Sequence, residues 1–146
     1  VNARPGEVVF TSGATEANTF AINGRPWRAL LVGNAEHSAV LAPARRSHAP
    51  RLELPCRSDG VQDLSGVEAW AAALPKSAQP ALASLALANG ETGVVQPVAD
   101  LVAMLTPFGV VVHSDAVQAT GRIVVDFRAL GLSLMSLSAH KMGGPK

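Results

Sequence analysis

Short, strongly apolar runs alternate along the chain with longer stretches in which apolar residues recur at helical spacing. Valine-, leucine- and alanine-rich runs at 7–12 (EVVFTS), 29–34 (ALLVGN), 51–55 (RLELP), 80–89 (PALASLALAN), 110–116 (VVVHSDA) and 132–141 (LSLMSLSAHK) predict strands. Helices are predicted from near Glu16, over 38–46 (SAVLAPARR), over 64–74 (LSGVEAWAAAL) and over 97–109 (PVADLVAMLTPFG). In the third, Leu64, Val67, Trp70, Ala71 and Leu74 share one face; in the fourth, Pro97 opens the first turn and Gly109 closes the last. Strands this continuously apolar are buried on both faces, which is the mark of a parallel sheet. The expected fold is therefore α/β, a mostly parallel sheet with helices on both faces. No repeat, low-complexity tract or linker divides residues 1–146, so one domain is expected.

Composition narrows the partners. The 146 residues are 48% hydrophobic, enough for a core, and 12 basic against 11 acidic side chains leave a formal charge of +1. That balance gives no electrostatic footprint for nucleic acid or for an anionic membrane surface. No apolar run reaches the roughly 20 residues of a membrane helix and no signal peptide is visible, so a cytoplasmic location is expected. The lone cysteine, Cys56, excludes an internal disulfide and a multi-cysteine metal site, and no metal is expected. It lies between Pro55 and Arg57 with no activating histidine or helix start, and reads as structural. A start at Val1 and a stop in a Gly-Pro turn read as a fragment of a longer protein.

In open α/β sheets ligands bind beyond the carboxyl ends of the strands, so polar residues that follow apolar runs hold the candidate chemistry. These are Thr11 to Asn18, Glu36 and His37, Asn89 to Gly93, His113 to Gln118 and Ser138 to Lys141. In TSGATEAN, Gly13 permits an unusual turn, and the hydroxyl of Thr15 with the first amides of a helix suits a phosphate; a simple helix cap fits the same residues. Asp115 follows a run of valines and needs a partner: a protonated ring nitrogen serves, and so does a turn with His113 as a satisfied neighbour. Lys141 is either a solvated lysine or an amine able to attack a carbonyl, with Ser138 and His140 as anion donors beside it. His37 is either a packed histidine at a helix start or a ring-stacking proton carrier.

Taken in order, FTSGATEAN, EHSAVL, ANGETGVVQPV, HSDAVQATG and SLSAHKMGGPK closely resemble the cysteine desulfurases, within the class V aminotransferase group of fold-type I pyridoxal-phosphate enzymes. The resemblance spans nearly the whole chain. It implies a three-layer large cofactor domain, here incomplete, with the family's small domain absent from 1–146, and a homodimer. It assigns Lys141 the internal Schiff base with pyridoxal 5'-phosphate, Asp115 the pyridinium nitrogen and Gln118 the phenolic oxygen. Ala14, Thr15, Ser138 and His140 would hold the phosphate, and His37 would stack on the ring and assist proton transfer. The family pattern has a second asparagine where this chain has Gly90, so Asn89 is carried as a substitute cofactor contact. The implied reaction converts L-cysteine to L-alanine, with sulfur passed to an enzyme cysteine that the resemblance places outside this chain, and then to an acceptor such as an iron-sulfur scaffold or a thio-cofactor or tRNA pathway. Another class V enzyme, a selenocysteine lyase or aminotransferase, and more remotely a non-catalytic phosphate-binding domain, are the alternatives.

Overall fold

Every strand of the computed structural model, which describes residues 1–145, begins in one of the apolar runs. Lys146, the last residue of the SLSAHKMGGPK motif, lies outside the described residues. The strands are β1 (Ala29–Gly33), β2 (Arg51–Leu54), β3 (Ala81–Ser84), β4 (Val111–Asp115) and β5 (Leu134–Ser136), all parallel, in the order β2-β1-β3-β4-β5. The helices are α1 (Ala14–Asn23), α2 (Ser38–Arg46), α3 (Val67–Ala73) and α4 (Val98–Leu105).

The period of two along β1 splits the core into two layers. Leu30 and Val32 pack with Leu82, with Ile22 of α1 and with Val40 and Ala44 of α2. Ala29 and Leu31 face the other way, joining Ala81, Ala83, Val67 and Ala71 of α3, and Val98, Leu101 and Leu105 of α4. Helices therefore cover both faces, and the three-layer α/β expectation holds. Leu101 is fully buried in the second layer. Leu101→Ala is expected to cost about 2–5 kcal/mol of stability through lost transfer energy plus a cavity, read as a lower unfolding midpoint in urea.

Three expectations need correction. The run 80–89 is a strand only over Ala81–Ser84. Residues 7–12 form no strand: Glu7 ends a 3-10 turn (Pro5–Glu7), and Val9 and Phe10 are 78% and 94% exposed. β-branched composition marks a segment that fits a sheet, but a strand exists only where a neighbour pairs with it, and none of the described residues does. β5 is also shorter than its apolar run. After Ser136 the backbone leaves the sheet and coils into a 3-10 turn, Ala139–Met142, so Lys141 stands on a helical turn rather than at a strand end.

Strand order reverses between β1 and β3, since the chain runs outward from β1 to β2 and then returns to β3 on the other side. A crevice opens at the carboxyl ends of strands at such a reversal. The polar strand ends converge on that edge.

Candidate active site

Asp115 closes β4 with 7% of its surface exposed, and the fold satisfies both of its oxygens. The Val117 N–H donates to Oδ1 at 3.0 Å, and Asn18 Nδ2 donates to Oδ2 at 2.6 Å. Both bonds fix the orientation of the carboxyl group at the end of β4. Asn18 is buried on α1, and its own Oδ1 has no partner. Its part was legible only as one polar residue in an otherwise mixed helix; the signal was its place three residues after Thr15, on the same helical face.

α1 is entered through its N-cap Gly13, whose φ of 153° and ψ of 179° lie in a region open to glycine almost alone. No side chain caps the helix. Thr11 instead donates its hydroxyl proton to the Gly13 carbonyl at 3.0 Å, and Glu16 reaches back to the Ser12 N–H. The capping alternative for Thr11, Ser12 and Thr15 is therefore not what this loop does. The amides of Ala14 and Thr15 at the helix start form a donor pair of the kind that binds an anion. Pairing of α1 with the end of β5 brings Ser138 and His140 to the same edge; Ser138 is buried, and its Oγ lies 3.0 Å from His140 Nδ1.

Lys141 follows on the exposed face of its turn. Its N–H donates to the Ser138 carbonyl at 3.1 Å, and the Gly144 N–H donates to the Ala139 carbonyl at 2.8 Å. Gly143 ends the turn at φ 84°, a conformation glycine adopts without strain. Gly121, in the segment after β4, approaches so closely that a Cβ there would lie 2.9 Å from Met142 Cβ. That approach seats the lysine turn against the segment that follows Asp115.

His37 is the N-cap of α2, where its Nδ1 accepts from the Ala39 N–H at 3.1 Å. The proton of the neutral ring is thereby placed on Nε2, which leaves that N–H free to act at the site. Gln118 packs against the backbone at Gly90: a Cβ on Gly90 would fall 2.9 Å from Gln118 Cγ and 3.0 Å from Nε2. Asn89 has a different occupation. Its Oδ1 accepts from the Glu91 N–H, the Thr92 N–H and the Thr92 hydroxyl, and its Nδ2 donates to the Ala35 carbonyl. Its amide ties the NGET turn to the loop after β1, with Oδ1 taken by the turn and one of the two Nδ2 protons left over as a donor.

Behind Asp115 lies a polar chain that residue types alone did not disclose. His113 is fully buried between Ser84 Oγ, 2.9 Å from Nδ1, and Ser136 Oγ, 2.9 Å from Nε2. Burial pushes its imidazole down to about 4. Ser84 Oγ also stands 3.5 Å from Oε1 of buried Glu36. Only the β3–β4 register, which sets Ser84 opposite His113, brings these residues together.

Pyridoxal phosphate, the group the resemblance implies, suits this donor set. Asp115 offers a buried carboxyl group for a protonated ring nitrogen, Gln118 an amide donor, the α1 start with Ser138 and His140 an anion cradle, and Lys141 an exposed amine. Cys56 stands apart on the turn after β2, where Gln62 Nε2 donates to its Sγ at 2.8 Å. Among the described residues no cluster of histidine, cysteine, aspartate and glutamate could hold a metal, and no helix is long and apolar enough to cross a membrane.

The family model for class V aminotransferases matches residues 1–146. An IscS-like cysteine desulfurase of Mycobacterium tuberculosis is 37% identical, covering 99% of this chain and 39% of that protein. A cysteine desulfurase of Homo sapiens is 38% identical over all of this chain and 33% of that protein. The chain thus spans between a third and two-fifths of the length of these relatives. Among solved structures, a NifS-like protein of Rickettsia africae superposes with a TM-score of 0.86 at 28% identity, covering 93% of this chain and 37% of that one. The protein SspA, solved in complex with cysteine, gives 0.85 at 28% identity over 99% of this chain and 43% of that one.

Proposed function

Since the chain belongs to the class V aminotransferase family, we propose that it is the cofactor-binding part of a cysteine desulfurase, which converts L-cysteine to L-alanine and passes the sulfur to an enzyme cysteine. The observation that carries this reading is the Asp115 carboxylate, buried, held by Asn18 and the Val117 N–H, and set on the same sheet edge as His37, Gln118 and the Lys141 turn. The names and sequence identities of the relatives support the choice of reaction within the family.

The family works with pyridoxal phosphate. When bound, the cofactor supplies an electron sink for negative charge that develops on the substrate's α-carbon. The chain's own residues bind, orient and move protons. Ala14 and Thr15 amides with Ser138 and His140 would hold the phosphate, and the Lys141 amine would carry the covalent link to the cofactor. Asp115 would stabilise a protonated ring nitrogen, while the Gln118 amide would donate to the phenolic oxygen. His37, its Nδ1 committed to the helix cap, would exchange a proton at Nε2. A homodimer and a sulfur acceptor such as an iron-sulfur scaffold belong to the same proposal.

The test uses the complete protein loaded with pyridoxal phosphate and given L-cysteine. Alanine and sulfide are expected in equal amounts under a reductant. Amino-group transfer to a keto acid without sulfide would assign the protein to the aminotransferases instead. A further result separates this chain from relatives with a side chain at position 90. Gly90→Ala is expected to displace Gln118 and weaken pyridoxal phosphate binding about fivefold, roughly 1 kcal/mol of overpacking and lost donor contact. An unchanged affinity in an absorbance titration would show that Gln118 does not depend on that space.

A further inference from the structure

Two buried carboxyl groups sit on this sheet edge, and the fold treats them differently. Asp115 has a full donor to each oxygen. Glu36, 7% exposed, has the Ser84 hydroxyl only at 3.5 Å from Oε1 and the Ala86 N–H, and its Oε2 is buried with no partner. A charge carried there would keep an unsatisfied anionic oxygen out of water, the most costly way to bury a carboxyl group. No ion pair among the described residues includes Glu36. The titratable groups near it are Asp115 and, through Ser84, His113, both from β4, with His37 as its chain neighbour; Gln62, Asn89 and Gln96, which line the cavity of about 10 Å³ beside it, do not titrate.

We propose that Glu36 is carried as the neutral acid and acts as a positioning residue: it leaves Asp115 the sole negative charge beneath the ring-binding edge and anchors the Ser84–His113–Ser136 chain that backs the site. Two carboxyl groups, one with a donor to each oxygen and one with a buried oxygen left without a partner, divide their roles in this way. Burial, then the nearby Asp115 charge, pushes the Glu36 carboxyl up to about 8. Neutral Glu36 can donate its proton toward Ser84, Ser84 toward His113 Nδ1, and His113 Nε2–H toward Ser136, so that the Ser84 hydroxyl and both ring nitrogens have a defined direction. The role of Asp115 in this inference rests on the proposed cofactor reading; the protonation of Glu36 does not.

The experiment therefore has two readouts. Infrared spectra of the complete protein, with and without pyridoxal phosphate, should show the carbonyl stretch of a buried carboxylic acid at pH 7, lost in Glu36→Gln. In parallel, unfolding stability is followed against pH. A carboxyl raised from 4.5 toward 8 contributes stability that is full below 4.5 and is lost as pH rises toward 8. His113, lowered from 6.5 toward 4, contributes in the opposite sense, stability gained as pH rises from 4 to 6.5. The window from 6.5 to 8 accordingly isolates Glu36: stability should fall there in the parent protein and stay flat in Glu36→Gln. Glu36→Gln, the neutral isostere, should also keep pyridoxal phosphate affinity within about twofold. Absence of the acid band in the parent protein, or the same slope in both proteins, overturns the proposal whether or not the cofactor chromophore forms. A tenfold or larger affinity change in Glu36→Gln also overturns it, because a charge would then have been removed. Loss of the chromophore in the parent protein would instead count against the cofactor reading.

Discussion

Lys141→Ala should abolish the lysine-linked chromophore of the pyridoxal phosphate complex, eliminate borohydride trapping at this position, and reduce cysteine turnover by on the order of 10⁴-fold or more. The expectation is so large because the turn Ala139–Met142 carries no primary amine besides Lys141 to take over the covalent link. The fold should tolerate the change. The side chain is exposed, no ion pair among the described residues includes it, and the turn is held by backbone bonds to Ser138 and Ala139 and by the close approach of Gly121 to Met142. Stability within about 0.5 kcal/mol of the parent protein is therefore expected alongside the chemical loss. A trappable adduct surviving in Lys141→Ala would remove this residue from the site.

The residues that announce chemistry by type and spacing were legible in the sequence; those that act through register were not. Asp115, His37, Gln118 and Lys141 follow apolar runs, and a parallel sheet with all its strands pointing one way brings such positions to one edge. Asn18 stands at the end of the TSGATEAN motif, but its role as a partner of Asp115 was not legible, because an asparagine inside a helix has no visible partner until β4 ends beneath it. Ser84, His113 and Ser136 lie far apart in sequence, and only the pairing of β3 with β4 and β4 with β5 sets them side by side. Residues 7–12 show the reverse failure. Their composition is that of a strand, but strand formation is a property of two segments, and propensity reports on one. Gly90 combines both cases: the sequence shows the departure from the family pattern, while the space it leaves is filled by Gln118 from another part of the chain.

Asp115→Asn should lower turnover by about 10²–10³-fold, the cost of withdrawing a charge from a buried pair, about 3–4 kcal/mol. What makes this substitution decisive is that the fold can accept it. The Val117 N–H can still donate to the remaining side-chain oxygen, and Asn18 need only turn its amide over to present Oδ1, now without a partner, to the new NH₂ group. Stability should accordingly change by less than about 1 kcal/mol, whereas Asp115→Ala would strand the Asn18 amide and the Val117 N–H and cost more. The charge is thus separated from the packing. In Asp115→Asn the cofactor should bind with its ring nitrogen no longer held protonated, visible as a changed absorption spectrum and pH profile, with retained unfolding cooperativity. Turnover and spectrum both matching the parent protein would show that the buried carboxylate serves the turn at the end of β4 and not the cofactor. The same pair of measurements on Asn18→Ala, which removes one donor and keeps the carboxyl group, should fall between the two, because Asp115 would be less firmly oriented.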